Sequence, residues 1–311
     1  MISSFFSKTK PINYLVLLGF SLLLYVVVVY RQWSPDWTSP LVFSKTIGLL
    51  AFFGLIWGSG FLANKIKLTG TNSFAMLFFV LFTAAFNELL HWDSLLMANM
   101  FVMISASRVL QLKFEKATNT KIYEAALWVL VASIFHEWAL LFMVPLLIGI
   151  YVYSAKMARN WTMPLAAMAT FSLLMAAVVL TFKDTATMLE GYRFEWQIIA
   201  FQDFKTAFQL AIVLYIVLGL ISIFVVLSKL RYRGIGRMVS LRLLAVYYFL
   251  GLCLMCFTKG MEHHAILYSF FPASVFCANY VETIAKKKVK EGLLVALVVA
   301  TLGMMVVSLW Q

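Results

Sequence analysis

The chain has 311 residues, of which 63% are hydrophobic and only 12% are charged, whereas water-soluble domains have about 45–50% apolar residues. This composition excludes a water-soluble globule and predicts an all-α polytopic bundle of transmembrane helices. Spans of about 20 residues leave no stretch for a separate soluble domain, so residues 1–311 are expected to form a single integral membrane domain.

The net charge of +12 is explained by topology. Most of the Lys and Arg residues fall in alternate loops, such as 229–242 and 286–290, as the positive-inside rule describes for cytoplasmic loops. The pattern predicts a cytoplasmic N-terminus and an outer C-terminus. It assigns the basic charge to anionic membrane lipids as partners rather than to nucleic acid. All four histidines then lie on the outer side.

The predicted helices follow one another with short loops. The first has full spanning length and no small-residue cleavage site behind it, so it is interpreted as an uncleaved helix. The apolar run 122–153 would be about 48 Å long as one helix, against a hydrocarbon core of about 30 Å, so it is predicted to break at His136-Glu137. Eleven helices result, several short and paired: 12–30, 41–64, 71–90, 94–107, the two halves of 122–153, 161–182, 207–230, 241–258, 265–285 and 293–310.

Three further segments have distinctive patterns. Residues 108–121 mix apolar side chains with cations and are expected to lie on the membrane surface. The outer loop 183–205 alternates charged and aromatic residues, which is typical of an interfacial helix or lid. Pro272 is expected to kink its helix.

Small residues inside the spans indicate close packing. Gly54 and Gly58 form a G-x-x-x-G, which favours helix association within the fold or between copies. Three cysteines, Cys253, Cys256 and Cys277, lie in apolar spans and are interpreted as small hydrophobic residues of the core.

The chemistry-bearing residues gather at predicted outer turns. Imidazole and carboxylate ligands suit zinc or iron, and Glu88 and His91 share one face of a helix at i and i+3. The alternatives are a substrate-binding or proton-handling site, and solvated turns and caps. The candidate set is Glu88, His91, Asp93, His136, Glu137, Glu262, His263 and His264, of which His91, His263, His264 and Glu262 are the metal candidates.

A second candidate site consists of outer cations that could hold a phosphate or diphosphate group. It combines Arg31 and Asp36 with Arg193 and Lys259; the alternative is cations that reach the interface along their apolar stems. Lys45 is expected either to counter Asp36 or to reach the surface. At the inner side, Glu282 and Lys286 are spaced for a structural i,i+4 ion pair.

The chain resembles a family of bacterial inner-membrane proteins of unknown function from gliding and related envelope-rich bacteria. The resemblance rests on the opening residues 1–12 and on the runs 95–108, 122–126 and 132–135. The arrangement of short paired helices is also distantly similar to multi-span polyprenyl-linked glycosyltransferases and polysaccharide polymerases. That likeness implies Asp36, Glu88 or Asp93 as a catalytic base.

Three functional hypotheses follow. The first is an enzyme of cell-envelope biogenesis that acts on a lipid-linked saccharide, with Arg31 or Arg193 on the diphosphate and with Lys259, His136 and Glu137 as further substrate-binding residues. The second is a non-catalytic subunit that holds other proteins of an envelope assembly or secretion complex. The third is a transporter, for which the span centres contain few charges. The sequence shows no nucleotide motif and no haem signature, so the cofactor is unknown.

Overall fold

The computed structural model describes residues 2–31, 38–114, 116–182, 206–229, 235–257 and 260–310. All regular structure within these ranges is helical, as predicted. The α-helices are α1 (Ile2–Phe6), α2 (Pro11–Arg31), α3 (Ser39–Lys65), α4 (Phe74–Ala85), α5 (Asp93–Leu110), α6 (Thr118–Phe135), α7 (Met143–Ser154), α8 (Ala158–Phe182), α9 (Thr206–Lys229), α10 (Ile235–Phe257), α11 (Phe270–Thr283) and α12 (Lys287–Trp310). Four 3-10 segments connect them: η1 (Asn87–His91), η2 (Gln111–Phe114), η3 (Glu137–Phe142) and η4 (Gly260–Ser269).

Among the described residues, eight helical segments are long and apolar enough to cross a membrane, as expected of a multi-pass membrane protein. They are Pro11–Arg31, Ser39–Lys65, Asp93–Phe114, Glu137–Ser154, Ala158–Thr181, Phe208–Lys229, Gly236–Cys256 and Lys287–Ser308. The count of eleven crossing helices and the sidedness of the termini stay predictions.

The centre of the bundle is formed by α4 and α11. All twelve residues of α4 are buried, and α11 is buried from Phe270 to Asn279. A twelve-residue helix is about 18 Å long, which is too short to cross a hydrocarbon core of about 30 Å. Helices that are apolar on all sides belong in such a core, whereas α8 and α12 present many exposed leucines and valines.

The small residues of α3 allow it to approach α5. A Cβ on Gly54 would lie 3.2 Å from the sulfur of Met100, and one on Gly58 would collide with the terminal methyl of Met103. The predicted close packing at the G-x-x-x-G therefore occurs within the fold, against two methionines of one neighbouring helix.

The break in the run 122–153 lies where it was predicted. Helix α6 ends at Phe135, His136 has extended backbone angles of −156° and 109°, and η3 begins at Glu137. The extended residue ends the helical hydrogen-bonding pattern, so the chain reverses there.

Two expectations about the later spans were wrong. The predicted helix 265–285 is in fact 3-10 structure up to Ser269, and α11 starts only at Phe270. Pro272 therefore occupies the first turn of α11, where the N–H that proline lacks has no helical partner to lose, and no kink is required. Cys253 and Cys256 are exposed on the outside of α10 rather than buried, whereas Cys277 is buried as expected.

The described part of the segment 108–121 packs against the bundle, and its expected position at the membrane surface stays a prediction. Helix α5 continues to Leu110 and η2 follows directly. The Lys113 ammonium donates a 2.5 Å hydrogen bond to the carbonyl of Ile66, in the turn after α3. That bond ties this connection to the α3–α4 turn.

A polar cluster fixes this same turn, at the end of the bundle that we call the basic end. The Glu282 carboxylate accepts hydrogen bonds from the Gly70 amide at 2.8 Å and the Asn72 side chain at 2.6 Å, and lies 3.8 Å from the Arg237 guanidinium. Glu282 is structural, as predicted, but these three groups, and not Lys286, are the partners that the structure gives it.

Candidate functional site

Three helices are followed by a 3-10 segment at the opposite end of the bundle, which we call the histidine end; two of these segments contain histidine, and His136 directly precedes the third. Helix α4 leads into η1, α6 leads through His136 into η3, and α10 leads into η4. The same local design thus occurs three times: an apolar helix stops and a polar turn follows it.

Segment η4 brings the three turns together. The ring of His264 in η4 lies 5.4 Å, between centroids, from the ring of Trp92, the residue after η1. The hydroxyl of Tyr268, also in η4, is 3.1 Å from Nδ1 of His136. The segments η1, η3 and η4 are far apart in the sequence, but they are therefore neighbours in the folded chain.

The C-terminal half of η4 is buried and held by neighbouring helices. Residues 265–269 are at most 2% exposed. The Asn99 side chain of α5 donates to the Leu267 carbonyl at 3.2 Å, and the hydroxyls of Tyr215 and Ser269 are 2.6 Å apart. A Cβ on Gly251 would lie 2.8 Å from the Ser269 nitrogen, so a glycine is what allows α10 to come this close. Buried backbone polar groups need such partners.

Both histidines that contact this arrangement are largely buried. His136 is 8% exposed and His264 is 9% exposed. The His264 ring lies between Trp92 and Phe208, whose ring centroid is 6.4 Å away. Both imidazoles are therefore largely removed from solvent.

Asp93 is part of a tight polar network. Its Oδ2 lies 2.9 Å from the Lys45 ammonium, and the two side chains are only 13% and 12% exposed. Hydroxyls of Tyr25 and Ser44 donate to the same carboxylate at 3.3 and 3.2 Å, and the Lys45 ammonium donates to the His91 carbonyl at 2.8 Å. The network joins α2, α3, α5 and η1.

One expectation for Lys45 was wrong, because its side chain pairs with Asp93 and does not reach the surface. Its other expected partner, Asp36, lies outside the described residues. The network also gives Asp93 a structural reason to be where it is, since a carboxylate at the first residue of α5 is favoured by the helix dipole and by its three donors. The role of Asp93 as a catalytic base stays a prediction.

Several charged groups of the histidine end are more accessible than Asp93 and Lys45. Arg31 is exposed at the end of α2, and Glu88, His91 and Glu137 are partly exposed. Burial, and then the Lys45 charge, hold the pKa of His91 below its usual value, with a smaller contribution in the same direction from Arg31 and an opposing one from Glu88. His91 therefore favours its neutral form.

The predicted metal site is tested only in part. Within the described residues no group of three His, Cys, Asp or Glu side chains lies close enough to hold a metal ion. The side chains of Glu262 and His263 are not among those described, so a centre that includes them with His91 and His264 stays a prediction. Asp36, Arg193, Lys259 and the rest of the loop 183–205 also lie outside the described residues.

Sequence reasoning missed the tyrosines of this site. Tyr268 bonds His136 and Tyr25 bonds Asp93, yet both belong to apolar helical stretches in which tyrosine is an ordinary packing residue. A signal did exist for Lys45, because a lysine inside an apolar span requires a partner.

Comparisons with protein-family models, with curated proteins and with solved structures find no match for this chain.

Proposed function

We propose that this chain is an inner-membrane protein of cell-envelope biogenesis that transfers or polymerises saccharide units carried on a lipid. The observation that supports this proposal best is the meeting of three histidine-bearing turns around η4. Substrate sites commonly combine residues from distant turns and are partly buried and partly accessible, as this arrangement is.

The residue types at the histidine end fit the chemistry of glycosyl transfer. Such a reaction needs a group that takes a proton from the attacking hydroxyl and a cation that stabilises the leaving phosphate. Glu88 and Glu137 are partly exposed carboxylates on two of the three turns, and Arg31 is an exposed guanidinium near enough to influence His91 of η1. We assign the base to Glu88 or Asp36, with Glu137 binding substrate and Arg31 on the phosphate.

We take this end to face the outer side of the membrane. The groups of cations lie in the loops of the opposite end, and positive loops stay in the cytoplasm. Lipid-linked saccharides that serve in building the envelope would meet the site on that outer side.

The test uses a strain of the bacterium in which the gene for this chain is deleted. We expect the strain to accumulate a lipid-linked saccharide, measured by mass spectrometry of extracted lipids. Expression of the wild-type chain in this strain should remove the accumulated saccharide. Expression of Glu88→Gln or Glu137→Gln should leave at least about ten times more of it than the wild type does, because general acid–base groups contribute roughly 10²–10⁴ in rate.

The matched control is Glu124→Gln, the same change at the basic end. Glu124 pairs with Arg108 at 2.8 Å, but both side chains are more than one-third exposed, and such surface pairs contribute about 0–1 kcal/mol. This variant should behave as the wild type. An unchanged lipid profile in the deletion strain would contradict the proposal and favour a non-catalytic subunit, which should purify in a larger complex.

A further inference from the structure

Three cations from separate parts of the chain meet at the α3–α4 turn of the basic end. The carbonyl of Ile66 accepts a hydrogen bond from the Lys113 ammonium at 2.5 Å, and the carbonyl of Leu68 accepts one from Nε of Arg237 at 3.2 Å. Lys67 lies between these two carbonyls in the sequence. Lys67 and Arg237 are both near enough for their charges to act on the Lys113 ammonium. These three side chains therefore form one cation group.

The backbone at Lys67 has a conformation that is unusual for a lysine. Its φ is 57°, in the left-handed region where helices commonly end at a glycine. The amide of Leu68 donates to the Ala63 carbonyl at 2.9 Å, and the amide of Lys67 donates to the Asn64 carbonyl at 3.1 Å, which is the pattern of a Schellman motif. A glycine would adopt this conformation without strain. The exposed lysine instead adds a third charge to the cation group.

The described acids do not neutralise the cation group. Glu282 lies 3.8 Å from the Arg237 guanidinium, but its carboxylate is already bonded by the Gly70 amide and the Asn72 side chain. Lys67 has no ion pair among the described residues. The group therefore keeps an excess of positive charge, and like charges held close together repel one another. A bound anion would remove this repulsion.

The cation group lies at the boundary of the membrane. Each member stands within two residues of the end of an apolar span: Lys67 after Ser39–Lys65, Lys113 in Asp93–Phe114 and Arg237 in Gly236–Cys256. The Phe114 side chain is 47% exposed, as expected of a ring that contacts lipid, and the Lys113 ammonium lies 5.1 Å from its centroid. The anions of a bilayer at this depth are the phosphates of its lipids, and basic pockets between spanning helices bind such head groups.

We propose that Lys67, Lys113 and Arg237 bind the phosphate group of an anionic phospholipid. The hydrogen bonds described for them use one of the three N–H groups of Lys113 and two of the five of Arg237, so donors remain for a phosphate, which accepts several charge-assisted bonds at once. A bound lipid links the α3–α4 turn, η2 and α10. The site lies at the opposite end of the bundle from the histidine end, so it is independent of the proposed saccharide transfer.

The test measures lipid binding to the purified full-length protein by native mass spectrometry, with phosphatidylglycerol and phosphatidylcholine of the same acyl chains as probes. The wild type should bind its first phosphatidylglycerol at least about tenfold more tightly than phosphatidylcholine, because three cations take part. The variant Lys67→Asn should weaken phosphatidylglycerol binding about fivefold, which corresponds to the roughly 1 kcal/mol that one cation contributes near a membrane surface. Asparagine also accepts the left-handed conformation, so the turn is retained.

Two control variants separate this site from a general attraction of basic loops to anionic lipid. Lys67→Arg keeps the charge and should keep the affinity of the wild type. Lys156→Asn makes the same change at an exposed position in another turn of the basic end, and it should bind phosphatidylglycerol as the wild type does. Equal losses in Lys67→Asn and Lys156→Asn, or equal affinity of the wild type for the two lipids, would overturn the inference.

A competition experiment identifies the source of the phosphate. Inorganic phosphate in millimolar excess should leave phosphatidylglycerol bound to the wild type, because the lipid also keeps its acyl chains against the apolar surface beside the exposed Phe114 ring. Displacement of the lipid by inorganic phosphate would assign the site to a soluble phosphate compound and overturn the assignment to a phospholipid.

Discussion

The ion pair of Lys45 and Asp93 allows a quantitative test of how the histidine end is held together. Both side chains are about one-eighth exposed, and removing one partner of a buried pair costs about 3–5 kcal/mol because the other charge is left buried. We expect Lys45→Met to cost about 3 kcal/mol, the lower limit of that range, since hydroxyls of Tyr25 and Ser44 still donate to the carboxylate.

A double-mutant cycle separates the pair from its surroundings. Asp93→Asn should also cost about 3 kcal/mol, because it leaves the ammonium with the His91 carbonyl alone. The double variant leaves no buried charge, so it should cost no more than either single one. The coupling energy would then be about 3 kcal/mol.

The assay is reversible unfolding in mixed micelles with increasing dodecyl sulfate, followed by tryptophan fluorescence and circular dichroism. Lys10→Met removes a cation from an exposed position and serves as the control, with an expected change within about 0.5 kcal/mol. Single-variant costs below about 1 kcal/mol, the usual value of a surface pair, or strictly additive costs, would refute the reasoning.

Three other variants test further contacts. Gly48→Ala should destabilise the protein by about 1–3 kcal/mol, because a Cβ there would collide with the Asp93 carboxylate; Gly19→Ala, with nothing within 4 Å, should be neutral or stabilising in the same unfolding assay. Glu282→Ala should cost about 2–3 kcal/mol, measured in that assay, because it leaves buried donors unpaired at the basic end. The lowered pKa of His91 means that the unfolded chain takes up its proton first as the pH falls below about 6.5. Stability should therefore fall from that pH downwards, and His91→Gln should make the loss smaller; an identical pH profile would contradict this assignment.

Local signals predicted much of the fold. The length of the run 122–153 and its single polar interruption were sufficient to place the break at His136-Glu137, because both are properties of a short stretch of sequence. The apolar spans were found for the same reason, since the bilayer sets a minimum helix length. Helix ends were less well placed: α12 begins at Lys287, six residues before the apolar run, because a charged turn continues a helix as readily as it ends one.

The partners across the bundle could not be predicted. The rotation of α2, α3 and α5 about their axes decides whether Lys45 meets Asp93, Asp36 or solvent, and their sequences contain no signal for that rotation. The same holds for η4. Residues 265–269 are as apolar as a membrane-spanning helix, so their sequence does not predict a 3-10 segment. Their packing against Asn99 and Tyr215 stabilises that segment.

The acidic residues of the histidine end have the same chemistry but different surroundings. The Asp93 carboxylate interacts with the Lys45 ammonium and with the hydroxyls of Tyr25 and Ser44, so it links α5 to α2 and α3, and a change there disturbs the packing of these helices. Glu137 is partly exposed and is therefore accessible to a substrate. Under the proposed function, replacing Glu137 should therefore lower activity while stability stays near that of the wild type, whereas changes at Asp93 should lower both together.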